Sequence, residues 1–177
     1  HIAGIQVLVR SLIAGTTPVA MDLAGGFTAA AFARGTAEIA PDTRAYTALV
    51  PTQLVRLLSS PGGRLALARY AAVLVGGAAA PSSLLAEARD AGVRVVTTYG
   101  MSETAGGCVY DGQPLDVSFV QLEEDGRIRL GGATLAMGYL GEPALTAMAF
   151  SEDTHGTTWF RTDDVGHLDH RGRLVVD

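Results

Sequence analysis

The chain has 177 residues, 48% of them hydrophobic and 18% charged, with a formal net charge of −5. That is enough apolar surface for one domain with a real core, and it excludes a disordered tail or a coiled coil. The 13 basic residues, all arginine, are scattered, so there is no electrostatic reason to bind nucleic acid or an anionic membrane.

No apolar run reaches about 20 residues, so no membrane-spanning helix and no membrane insertion are expected. No signal peptide is expected, for want of a basic stretch ahead of an apolar core. A lone cysteine, Cys108, cannot form an internal disulfide and fits a reducing, cytoplasmic setting. With glycines beside it and no His nearby in sequence, it reads as a small packed thiol rather than a nucleophile. A start at His1 within a helical pattern, and an end at Asp177 within a strand-like stretch, are expected of a piece of a longer protein.

In chain order, Ile2, Ile5, Val9, Leu12 and Ile13 fall at helical spacing, with Gly15 as a stop. Thr17 to Met21 reads as a short buried strand, and Phe27 to Arg34 as a helix. Tyr46 to Val50 is an apolar run ended by Pro51, which suits the first turn of a helix through Leu54, Leu57 and Leu58. Ala71 to Val75 is a buried strand running into Gly76-Gly77, and Pro81 opens a helix carrying Leu84, Leu85 and Ala88 on one face. Val93 to Thr98 is β-branched and ends at Tyr99-Gly100. This alternation predicts an α/β fold, a mostly parallel sheet with flanking helices, over residues 1–110. Such sheets bind ligands at the carboxyl ends of their strands, here the loops 76–80 and 99–107.

After Cys108 helical periodicity becomes rare. Asp125-Gly126 between Val117–Leu122 and Arg127–Leu130 is a strong hairpin signal, and Arg171-Gly172 a weaker one. Residues 111–177 are expected to form a smaller antiparallel, β-barrel-like subdomain.

Three segments carry chemistry. In Thr97-Thr98-Tyr99-Gly100-Met101-Ser102-Glu103-Thr104, Tyr99 offers a flat face for a purine and Gly100 allows close backbone approach. Ser102 and Thr104 can donate to phosphate oxygens, and Glu103 can hold magnesium, which takes one or two carboxylates plus phosphates. An ordinary strand-to-helix turn, with Glu103 as a helix-start carboxylate, explains the same residues. Gly76-Gly77-Ala78 leaves room for a planar group, or is a plain turn before Pro81. Asp163-Asp164 after Trp159-Phe160 can accept ribose hydroxyls, or is a solvated turn.

The order of these segments, with Gly138-Tyr139 between the last two, resembles the adenylate-forming superfamily: acyl–CoA synthetases, luciferases and peptide-synthetase adenylation domains. The resemblance spans essentially the whole chain, and Tyr99 to Thr104 is its most specific element. It implies that Gly76, Gly77 and Ala78 wall the adenine and acyl site and that Tyr99 packs on adenine within the Tyr99-Gly100-Met101-Ser102 stretch. It implies further that Thr104 reaches the α-phosphate, Glu103 helps hold magnesium, and Asp164 binds the ribose. His1-Ile2-Ala3-Gly4 and the run Cys108-Val109-Tyr110-Asp111-Gly112 are similar to o-succinylbenzoate–CoA ligases, whose matching His, here His1, lines the acyl pocket with Gly77 and Gly100.

The implied activity is ATP-dependent carboxylate adenylation followed by thioester formation with coenzyme A. Other aryl- or fatty-acyl–CoA synthetases, or a non-catalytic nucleotide-binding domain, are the alternatives. The family's upstream phosphate loop and its C-terminal lysine are not found in these residues, so the piece is expected to be inactive alone, and exposed cut surfaces could drive homodimer formation. One departure is Asp163, where the superfamily usually has Gly. It would be penalised at any positive φ.

Overall fold

Three short runs rich in Val, Leu, Thr and Ala form parallel strands: β1 (Tyr46–Leu49), β2 (Ala72–Val75) and β3 (Val95–Met101). Their register is Tyr46 opposite Ala72, Val73 opposite Val95, and Val75 opposite Thr97. The computed structural model describes residues 2–177, which divide into a unit of residues 3–97 and a unit of residues 98–177, with β3 crossing the boundary.

Parallel neighbours need crossover connections. The first unit supplies them as α3 (Pro51–Leu58) and α4 (Pro61–Leu67) between β1 and β2, and α5 (Ser82–Asp90) between β2 and β3. Two further helices, α1 (Ile2–Ala14) and α2 (Ala29–Ala37), precede β1. Local chemistry sets the helix starts. Thr28 Oγ1 accepts from the Ala31 N–H at 3.1 Å, Gln53 Oε1 from the Val50 N–H at 3.0 Å, and Ser60 Oγ from the Gly63 N–H at 3.4 Å. Pro51 and Pro61 occupy first helical turns, where a missing N–H costs nothing. Helix α4 has no counterpart in the sequence reading because Gly62-Gly63 weakens its pattern.

The core of this unit gathers Phe32, Leu49, Leu54, Leu57, Leu58, Leu67, Val73, Val75 and Val95. Thr17–Met21 is not a strand. Thr17, Val19 and Ala20 are exposed, Pro18 cannot donate to a ladder, and partial packing of Met21 ties the segment to the core. Helix α1 forms as its spacing predicts but has no buried residue; Leu12 and Ile13 are 80% and 83% exposed.

In the second unit, Thr98–Met101 of β3 pairs antiparallel with β4 (Gly106–Tyr110), which pairs with β5 (Gln113–Pro114). A separate antiparallel sheet contains β6 (Ser118–Leu122), β7 (Arg127–Gly132), β9 (Thr158–Leu168) and β10 (Leu174–Val176) in the order β10-β9-β7-β6. Strand β8 (Phe150–Glu152), fed by α6 (Pro143–Ala149), also pairs with β9. Both predicted hairpins form. Asp125 Oδ1 accepts from the Arg127 N–H at 3.0 Å, and Asp169 Oδ1 accepts from the Arg171 and Arg173 N–H groups at 2.8 Å.

The expected barrel is absent: among the described residues this sheet is open, with β6, β8 and β10 as edges. So few strands, some only three residues long, twist without closing. Alternation along β7 sends Ile128 and Leu130 inward to Cys108, Val109 and Leu174.

Replacing Leu57, which is fully buried in the first core, by Ala should lower stability by about 2–5 kcal/mol. Equilibrium urea unfolding would read this as a lower midpoint at unchanged slope.

Candidate active site

The candidate residues of the second unit converge on the end of β3 and the turn that follows. Gly100 has φ +151° and faces β4 so closely that a Cβ there would lie 2.2 Å from the Gly106 carbonyl oxygen. Only glycine fits, and the ladder register shifts at this point, between Tyr99 and Gly100. Ser102–Thr104 then make one 3₁₀ turn, closed by Ala105 in the left-handed region.

Thr104 is 1% exposed. Its hydroxyl oxygen accepts from the Met101 N–H at 2.9 Å, and its single proton goes to the Gly106 carbonyl at 2.7 Å, with the Met101 carbonyl at 3.2 Å as the longer option. A phosphate oxygen can only accept, so donation to it requires this hydroxyl to leave Gly106. Ser102 is exposed, and Met101 packs on the second core.

Two carboxylates in this unit each hold a phenol. Tyr99 Oη donates to Asp164 Oδ2 at 2.8 Å, and Tyr139 Oη donates to Glu103 Oε1 at 2.8 Å. Burial pushes the Tyr99 phenol well above its ordinary range, and the Asp164 carboxylate adds to this. The Tyr139 phenol is raised chiefly by its hydrogen bond to Glu103. Asp164 sits on β9, where buried Thr162 pins its backbone: Thr162 Oγ1 accepts from the Asp164 N–H at 3.1 Å and donates to the Ile128 carbonyl at 2.9 Å.

Asp163 carries no conformational penalty. The non-glycine residues at positive φ among those described are Ala105 and Asp111. Its charge faces Arg127 Nη1 at 3.4 Å in an exposed pair, a type of contact that stabilises little. Cys108 is buried, and desolvation raises its thiol pKa, which makes a thiolate nucleophile unfavourable.

Gly76, Gly77 and Ala78 belong to the first unit. The Gly76 N–H donates to the Leu49 carbonyl at 3.2 Å, while Gly77 and Ala78 are exposed beyond the end of β2. His1 lies outside the described residues. The Tyr139 and Arg127 contacts have no counterpart in the sequence reading; the Gly138-Tyr139 pair marked the position of the first but not its partner.

No group of three or more His, Cys, Asp or Glu that could hold a metal occurs among the described residues. Glu103 alone, with Oε1 on Tyr139 and Oε2 left over, fits a cation that arrives with phosphate ligands. No helix among the described residues is long and apolar enough to cross a membrane.

The Tyr99–Asp164 pair and the acidic turn residue Glu103 lie at the carboxyl end of β3, the position at which open α/β sheets bind their ligands. The chain belongs to the AMP-binding enzyme family, whose profile matches residues 1–140. It is 46% identical over 169 residues to the "Probable 2-succinylbenzoate–CoA ligase" of Mycobacterium tuberculosis, a match covering 96% of this chain and 42% of that protein. The unliganded O-succinylbenzoate coenzyme A synthetase (MenE) of Bacillus subtilis superposes with a TM-score of 0.79 at 27% identity, over 99% of this chain and 40% of that one. The same enzyme in complex with ATP and a magnesium ion gives a TM-score of 0.76 at 27% identity, over 99% of this chain and 39% of that one. The chain thus spans about two fifths of the length of these relatives.

Substituting Tyr99 by Phe should lower stability near neutral pH by about 1 kcal/mol through loss of the Asp164 bond. Above about pH 10 the native state keeps a Tyr99 proton that the unfolded chain has lost, so wild-type stability falls as pH rises. The gap between wild type and Tyr99→Phe should therefore narrow in alkaline urea titrations.

Proposed function

We propose that this segment forms part of the nucleotide and acyl site of an ATP-dependent acid–CoA ligase acting on o-succinylbenzoate. The observation that carries this is the Tyr99–Asp164 pair at the end of β3, together with 46% identity to a ligase of that description. An oxygen of the substrate's succinyl carboxylate attacks the α-phosphorus of ATP. The bond to pyrophosphate breaks, leaving an acyl-adenylate. The thiol sulfur of coenzyme A then attacks the acyl carbon, its proton passes to solvent, and AMP departs as the thioester forms.

Asp164 has acceptor capacity beyond its bond from Tyr99, since an ionised carboxylate offers about four lone-pair sites. It would take the ribose hydroxyls while the Tyr99 ring packs on adenine. Gly76, Gly77 and Ala78 would wall the adenine and acyl groups. Gly100, Met101 and Ser102 would present backbone and hydroxyl groups beside Tyr99. Thr104 would exchange its bond to Gly106 for one to the α-phosphate. Glu103 would hold magnesium, which when bound offsets charge developing on the phosphates. A lone buried thiol suits a reducing cytoplasm.

The test is an assay of the full-length protein that carries this segment, with ATP, Mg²⁺, coenzyme A and a panel of acids. o-Succinylbenzoate should release AMP and form a thioester, with benzoate and fatty acids far poorer. Thioester formation confined to other acids would remove the substrate assignment, and no AMP from any acid would remove the ligase. Asp164→Ala should raise the KM for ATP about 10- to 100-fold, the loss of charge-assisted hydrogen bonds of about 1.5–3 kcal/mol.

A further inference from the structure

Glu103 lies on a short turn and is half-buried. A glutamate there has three rotatable bonds and loses much freedom if it must meet a cation in one pose. One loop supplies a hydrogen bond that restricts the side chain and another that fixes the backbone beneath it. The Ala136 N–H donates to the Glu103 carbonyl at 2.7 Å, and the Tyr139 phenol donates to Glu103 Oε1 at 2.8 Å.

The loop is itself anchored. The Tyr139 N–H donates to Thr146 Oγ1 at 2.9 Å, and that hydroxyl donates to the Glu142 carbonyl at 3.0 Å. Gly138, at φ +142°, lets the chain pass Thr146; a Cβ there would lie 2.4 Å from Thr146 Cγ2. The Tyr139 ring meets Phe150 edge-on at 5.7 Å, and Phe150 packs at 5.0 Å on Phe160, which is buried in β9. The phenol is therefore delivered to Glu103 by a braced loop.

We propose that Tyr139 is a positioning residue: its phenol holds the Glu103 carboxylate in the pose that presents Oε2 to the divalent cation of the nucleotide. This rests on the ligase reading above. Hydrogen-bonded partners of metal-binding carboxylates typically change metal affinity by about 10- to 100-fold when removed. The phenol also draws electron density from the carboxylate, which would weaken a metal bond, so the direction of the effect discriminates orientation from electronics.

The experiment is a Mn²⁺ titration of the full-length protein by electron paramagnetic resonance, in the presence of a non-hydrolysable ATP analogue. Wild type, Tyr139→Phe, Glu103→Gln and the double variant are compared, with thermal midpoints as a fold check. Tyr139→Phe should weaken Mn²⁺ binding about tenfold, and in the Glu103→Gln background it should have no further effect. In turnover, its Mg²⁺ requirement should rise while kcat recovers at saturating Mg²⁺. Should Tyr139→Phe fail to fold, Thr146→Val, which keeps the phenol but loosens its anchor, should weaken Mn²⁺ in the same direction.

Unchanged or tighter Mn²⁺ binding in the folded variant, or an equal loss in both backgrounds, would overturn the role of Tyr139 while leaving the ligase intact. Absence of nucleotide-dependent Mn²⁺ binding in an inactive wild type would overturn both.

Discussion

The close approach of Gly100 to β4 is the constraint on which the candidate site of the second unit depends. With no Cβ, the chain passes within contact of the Gly106 carbonyl, and β3 takes β4 as an antiparallel partner after pairing in parallel with β2. That same contact brings Gly106 to the Thr104 hydroxyl, which closes the turn between them. Ser102 and Glu103 are thereby held outward while Thr104 is buried. A side chain at position 100 would dislodge the turn, and with it every group that the turn presents.

The polar groups of this unit are organised by pairing rather than by net charge. Tyr99 with Asp164 and Tyr139 with Glu103 are neutral donors on anionic acceptors, an arrangement that costs less desolvation than a buried ion pair. Each phenol occupies one carboxylate oxygen. Arg127 faces Asp163 instead, so the acid where the superfamily usually has glycine is met by a local cation. These contacts explain how three acids at positions 103, 163 and 164 coexist in one small unit.

Much of this organisation was legible in the sequence where a feature acts over a few residues. Pro51 and Pro81 mark helix starts because a fixed φ suits the entry to a helix, where a missing N–H costs nothing. Asp125-Gly126 and Arg171-Gly172 mark turns, which the Asp125 and Asp169 side chains close by accepting from neighbouring N–H groups. Where the outcome depended on a distant neighbour, local pattern misled. Thr17–Met21 has strand-like residues but no strand beside it, and the β-rich segment stays open because its strands are too few and short to close. Asp163 looked conformationally costly only because φ cannot be read from residue type.

By itself the sequence determined the family, the strand–helix alternation of the first unit, the hairpins of the second, and which residues stand at the strand end where a nucleotide is expected. These follow from periodicity, turn chemistry and the ordered motifs around Tyr99 to Thr104. Only the tertiary structure decided the partners. Tyr99 reaches Asp164 across 65 residues and Tyr139 reaches Glu103 across 36. The Thr104 hydroxyl is drawn into its own turn, which residue type alone does not reveal. A hydrogen bond is short-ranged and directional, so its partner is set by how the sheets bring distant segments together, and no local pattern encodes that.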